Sequence, residues 1–123
     1  MRTLRVLEYN KIISMLESYT LSEPGKIIVR KIRPEKDYNI VKTRLEETSE
    51  ALEILKFLGS SPMDIFPDIR DSLYRAEIGS ILSPSEILGI GKILTLAGNF
   101  VDKISKYPEP KKISLILSIS EGI

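Results

Sequence analysis

Apolar residues recur along most of this chain at the three- and four-residue steps of a helix, and no stretch keeps the two-residue alternation of a half-buried strand. Tyr9, Ile12, Ile13 and Leu16 open the series at i, i+3, i+4 and i+7, with Asn10 placed as the N-cap. The segment from Thr20 to Gly25 interrupts it. Ser22 is positioned to cap a short second helix over about 23–32, with Pro24 in the first turn, where a proline loses no helix bond. Pro34 sets its end, because the residue before a proline is pushed out of the helical region.

The third helix is expected over 37–58. Val41, Leu45, Thr48, Leu52 and Leu55 follow one another at steps of 4, 3, 4 and 3, which is heptad spacing and makes one apolar stripe. Gly59, Ser60, Ser61 and Pro62 terminate it. A short fourth helix follows Pro67 with Asp68 near its start, and Gly79 closes it. Ser83-Pro84-Ser85-Glu86 is the sharpest start signal in the chain: an N-cap serine, proline at the first helical position and glutamate at the third. Behind it Ile87, Ile90, Leu94, Ala97, Val101 and Ile104 form a second stripe running to about Lys106. Gly89, Gly91 and Gly98 inside that helix each cost about 1 kcal/mol relative to alanine. Either close helix approach or drift accounts for them. A last helical segment is expected from Lys111 to Ser120.

The fold class that follows is all-α: a helical bundle-like core with two long antiparallel helices and shorter flanking helices, one helical domain over 1–123. In that arrangement Leu45, Leu52 and Leu55 pack against Ile90, Leu94 and Val101. Truncating Leu52 to alanine would then cost about 2–5 kcal/mol.

Composition narrows the function more than the fold. The 123 residues are 42% hydrophobic and 28% charged, ordinary for a globular domain, and 18 basic residues against 17 acidic give a net charge of +1. That balance supplies no electrostatic argument for a nucleic-acid or membrane partner. No run of apolar residues is long enough for a membrane span, and no leader pattern opens the chain. There is no cysteine and no histidine. Thiolate and imidazole nucleophiles, bases and metal ligands are therefore absent from these residues. Gly89-Ile90-Gly91-Lys92 is glycine-rich but sits inside a helical pattern and lacks the phosphate-loop spacing. Asp64, Asp68 and Asp71 do not match a cation-loop spacing, and capping or solvation accounts for them.

One charge feature carries a functional hypothesis. Lys26, Arg30, Lys31, Arg33 and Lys36 stand within eleven residues that contain one acid, Glu35. Lys26, Arg30 and Arg33 follow the i, i+4, i+7 rule and would share a helix face, where they could meet a phosphate backbone together. The same residues also suit a solvated helix end, where basic side chains complement the C-terminal dipole, and the near-neutral net charge favours that reading. No aromatic residue is interleaved to stack on bases.

Taken in series, several stretches resemble the N-terminal end of bacterial MutS paralogues of the second type, recombination-suppressing relatives of the mismatch-repair ATPase. The stretches are Thr3 to Ile13, Leu21 to Lys26, Ile32-Arg33-Pro34, Val41 to Thr48 with Ala51 and Leu52, Asp68-Ile69-Arg70, Arg75 to Gly79, and Leu82 to Leu88. Two departures stand out: Asn10 where the family has an acid, and the glycines at 89, 91 and 98. The resemblance implies the start of a helical core and lever joining a DNA-embracing clamp to an ATPase domain, with a nuclease domain often at the far end. It carries no catalytic residue onto this chain. ATP and magnesium are implied for the longer protein and no cofactor for this segment. The implied partners are the rest of that chain and, through it, DNA or the ribosome, in a cytoplasmic homodimer with no membrane contact. The expectation is therefore a non-catalytic lever segment, cut within a larger domain near Glu121-Gly122-Ile123. The alternative is a free-standing helical adaptor that binds a partner protein through an exposed apolar stripe.

Overall fold

The computed structural model describes residues 2–122. The chain is all-α, with no strand among the described residues: α1 Arg2–Val6, α2 Tyr9–Ser18, α3 Glu23–Arg30, α4 Tyr38–Leu58, α5 Arg70–Glu77, α6 Pro84–Ser105, a 3₁₀ turn Pro110–Ile113 and α7 Ser114–Ser120. It divides into two compact units. One comprises Met1–Arg33 with Asp64–Lys92, the other Pro34–Met63 with Ile93–Ile123.

The starts of α3, α4 and α6 follow from capping chemistry, whereas α2, α5 and α7 have no side-chain cap from their N-cap residues. Ser22 Oγ accepts a hydrogen bond from Gly25 N at 3.2 Å and starts α3. The Asp37 carboxylate accepts from Asn39 N and Ile40 N to start α4, and Gly59 ends that helix in the left-handed region at φ 73°. At α6 the reciprocal box is complete. Ser83 Oγ accepts from Glu86 N at 3.3 Å, and Glu86 Oε2 accepts from Ser83 N at 2.6 Å.

Several boundaries differ from the sequence expectation: α5 starts at Arg70 behind Ile69 rather than near Asp68, and the helix expected from Lys111 is a 3₁₀ turn followed by α7 from Ser114. Asn10 lies inside α2 rather than at its cap, because α1 precedes it and the chain turns at Glu8, whose φ of 53° is left-handed. α3 ends at Arg30, two residues short of the expected Ile32.

In the first unit α2 packs on both α1 and α3. Tyr9 OH donates to Ile32 O at 2.7 Å, closing the end of α3 onto the start of α2. Gly89 sits close to the 67–69 segment: a Cβ there would stand 3.3 Å from Pro67 Cγ. Gly91 and Gly98 meet no such neighbour, so close approach accounts for one glycine of the three. No apolar side chain of this unit is fully buried among the described residues.

The second unit holds the apolar core. Ile54, Ile104, Tyr107 and Ile113 are buried there, with Leu58, Phe100, Ile116 and Leu117 packed around them. Phe57 meets Tyr107 edge to face at 5.4 Å between ring centres. Desolvation pushes the Tyr107 phenol above its usual range.

The stripe of α4 expected to be its buried face is the exposed one. Leu45, Leu52 and Leu55 are 63%, 51% and 41% exposed, and Leu94 on α6 is 68% exposed. The covered face carries Glu47, Glu50, Ile54 and Leu58. At 100° per residue it lies on the opposite side of the helix, since Ile54 is about 200° from Leu52. The reason is a long-range contact: α7 and the 3₁₀ turn pack against α4, and Glu50 fixes them on that side through its carboxylate.

A candidate nucleic-acid interface

The basic window begins on α3. Glu23, Pro24 and the Ser22 cap set the start of that helix, so Lys26 and Arg30 project from successive turns. Both cations are already engaged. Lys26 Nζ pairs with Glu23 at 3.0 Å within the helix. Arg30 pairs with Glu17 of α2, and this guanidinium holds the Glu17 carboxyl below its usual range while its own value rises. Glu17 went unnoticed in the sequence because thirteen residues separate it from Arg30 and no helical spacing relates them.

Arg33 does not share the face of Lys26 and Arg30, because α3 has ended three residues earlier. Its guanidinium turns back to donate to Ile32 O at 2.8 Å and Arg30 O at 3.1 Å, carbonyls left without helical partners at the C-terminus. Lys31 is the C-cap residue of α3, and its side chain is exposed. Lys36 is also exposed but belongs to the second unit, beside Glu35, whose carboxylate is held below its usual range by the backbone N–H groups of Asp37 and Lys36. The expected five-residue patch is therefore two neutralised cations on α3, one cation folded onto a helix end, and two exposed lysines that belong to different units. Such an arrangement can touch a phosphate through single lysines, but it holds no multidentate cradle.

The other acidic and glycine-rich stretches have structural roles. Asp68 accepts from Arg70 N at 3.1 Å and pairs with the Arg70 guanidinium, which lowers its carboxyl to about 2. Asp64 stands 4.0 Å from Lys92 Nζ. Among the described residues no three acidic side chains gather as a metal site would require. Gly89 to Lys92 lies within α6, so these residues are not arranged as a phosphate loop and do not fit the phosphates of ATP. Among the described residues no helix is long and apolar enough to cross a membrane.

No family model matches the chain, and no solved structure matches it. Curated proteins do. An "Endonuclease MutS2" from Clostridium botulinum (strain 657 / Type Ba4) is 35% identical over 122 residues, 99% of this chain and 16% of that protein. A protein of the same name from Clostridium perfringens (strain SM101 / Type A) is 34% identical over the same share. One from Acetivibrio thermocellus is 43% identical over 98 residues, 80% of this chain and 12% of that protein. The chain thus spans 16% or less of the length of these relatives. Over nearly its whole length, therefore, it is a homologue of a segment of the MutS paralogues of the second type.

Proposed function

We propose that this chain is a non-catalytic packing and lever segment of a longer MutS-like DNA-binding ATPase. The observation that carries the reading is the distribution of apolar surface. Four hydrophobic side chains are buried among the described residues, while Leu45, Leu52, Ile87, Leu88 and Leu94 stand more than half exposed on the two long helices. Exposed apolar area of that extent marks surfaces that other protein covers. Relatives roughly six times as long offer a source for that cover, since the chain spans 16% of their length.

In this reading ATP, magnesium, and contacts with DNA or the ribosome belong to other parts of the longer, cytoplasmic, homodimeric protein. The segment's task is mechanical: its long helices transmit displacement because their hydrogen bonds are internal and their exposed faces are held by neighbours. The endonuclease activity in the relatives' names is likewise assigned outside these residues.

The test compares the 123-residue chain with the protein expressed from its full reading frame. The isolated chain should hydrolyse no nucleoside triphosphate and cut no nucleic acid. In the longer protein, Leu52→Asp should uncouple DNA binding from ATP turnover, leaving basal hydrolysis intact. DNA-stimulated turnover unchanged by that substitution would overturn the reading.

A further inference from the structure

The exposed stripe of α4 has a charge pattern that selects what covers it. With Leu45 and Leu52 as a positions and Val41, Thr48 and Leu55 as d positions, the flanking e and g sites carry Lys42, Arg44, Ser49, Ala51 and Lys56, the last g residue, Leu58, being packed on the core. Every charged flank is basic. The acids of the helix, Glu46, Glu47, Glu50 and Glu53, lie at b, c and f, outside the e and g sites; Glu46, Glu50 and Glu53 border the groove on the far side of Leu52, together with Lys112. Lys56 pairs with Glu53 at 3.2 Å and Lys42 approaches Glu46 at 3.9 Å, both solvent-exposed pairs along one helix that a partner's carboxylates can replace or join. Arg44 is exposed. Thr48, the one polar residue of the stripe, donates its hydroxyl to Arg44 O at 3.0 Å and brings no unsatisfied group to a contact.

This pattern disfavours a second copy as occupant. In either orientation, two such stripes bring basic flanks against basic or neutral ones, and no attractive interhelical pair forms. The heptad spacing calls for a helix, and the flanks call for acids. We infer that the α4 stripe seats a helix from another segment of the longer protein, apolar at its own a and d positions and carrying Asp or Glu at its e and g positions. The inference rests on the proposed function, which places this chain within a longer one. It adds the chemistry of the partner at one face.

A photocrosslinking benzoylphenylalanine at position 52, in the protein expressed from the full reading frame, tests it. The expected product is an intramolecular crosslink to an acid-flanked amphipathic helix, mapped by mass spectrometry. Lys42→Glu, Arg44→Glu and Lys56→Glu together should reduce its yield at least severalfold, and reciprocal Glu→Lys changes on the mapped helix should restore it. An intramolecular crosslink to a neutral or basic segment would overturn the inference and leave the proposed function standing. Crosslinks only to a second copy or to another protein would overturn the inference and leave the proposed function to its own test. Absence of any crosslink, with the protein folded by circular dichroism, would overturn the inference.

Discussion

The Glu50 carboxylate accepts a hydrogen bond from the backbone N–H of Ile116 at 2.9 Å, across 66 positions of sequence, and a second from Leu115 N at 3.2 Å. α7 has no side-chain cap of its own, since its N-cap residue is Ile113. A glutamate from the middle of α4 supplies that cap and satisfies two amides that the helix leaves open. The buried acid on the covered face of α4 is thus explained by what it holds. Glu50→Ala should destabilise the chain by about 2 kcal/mol, the order expected for hydrogen bonds to a charged group. Glu50→Gln keeps an acceptor oxygen and should lose less. Urea denaturation followed by circular dichroism measures both. Equal losses would show that the carboxylate's hydrogen bonds do not hold α7.

Two apolar truncations separate the used and unused faces of the second unit. Ile113 is fully buried and Leu52 is half exposed on the opposite side of α4 from Ile54. Ile113→Ala should cost about 2–5 kcal/mol, by the loss of buried methyl groups and the cavity left behind. Leu52→Ala in the same 123-residue chain should change stability by about 0.5 kcal/mol or less. The reverse order in denaturation midpoints would show that α4 packs through its heptad stripe.

Gly25 gives a prediction whose sign is opposite to helix propensity. Alanine normally favours a helix over glycine by about 1 kcal/mol. Here a Cβ would stand 2.6 Å from Thr20 Cγ2 and 2.9 Å from Ser22 Oγ, the atom that caps α3. Gly25→Ala should therefore destabilise the chain, because displacing the Ser22 cap, itself worth about 1 kcal/mol, and the clash with Thr20 together exceed the propensity gain. Thr20→Ser removes the offending methyl and should recover part of the loss. A stabilising Gly25→Ala, read from the thermal midpoint, would refute the geometry.

The acid limb of stability should carry the signature of the α6 capping box. Glu86 accepts from Ser83 N and lies against Arg75, and the Ser83 amide first, with Arg75 in support, depresses its carboxyl below the usual 4.5. Asp68 is depressed to about 2 by Arg70. A depressed folded-state value means that the unfolded chain binds protons more readily. The contribution is therefore present above the unfolded value and is lost as pH falls through the folded one. Thermal midpoints measured from pH 6 to pH 2 should fall through that window. Glu86→Gln, which cannot titrate, should make the slope shallower while lowering the midpoint at pH 6.

The parts of the fold legible in the sequence were those decided within a few residues. The Ser83–Glu86 box and the Ser22 cap are local arrangements and occur as their spacing implied, whereas Asp37, expected inside α4, is its cap. The stripe on α4 was also read correctly as a stripe. Its burial was not, because periodicity reports where apolar surface lies and not which side finds a neighbour. Glu50 shows why: a single acid, aimed at a helix end 65 and 66 residues away, places α7 on the face with fewer leucines. The basic window failed as a face for a comparable reason. Arg33 was assigned to a helix that stops at Arg30, and the Glu17 that neutralises Arg30 has no local signature.

Those ion pairs make the window's behaviour toward DNA predictable. Lys26 and Arg30 are paired with Glu23 and Glu17, and Arg33 donates to two backbone carbonyls. Lys31 and Lys36 are left with exposed side chains and no acidic partner among the described residues. Each phosphate neutralised contributes about 0.9 to the slope of log affinity against log salt, so two lysines can produce a slope of about 2 at most. With a net charge of +1, the 123-residue chain should bind duplex DNA no more tightly than about 10⁻⁴ M at physiological salt. Lys31→Glu with Lys36→Glu should remove the window's share of any salt-dependent binding, equally for every sequence, because phosphate contacts position without specifying. Glu17→Gln frees Arg30 and should raise the slope by about one contact. Fluorescence anisotropy with a labelled duplex at several salt concentrations reads all three. If Lys26→Glu with Arg30→Glu lowers the slope of the unaltered chain by about 2, those residues leave their acids for phosphate and the window acts as one surface after all.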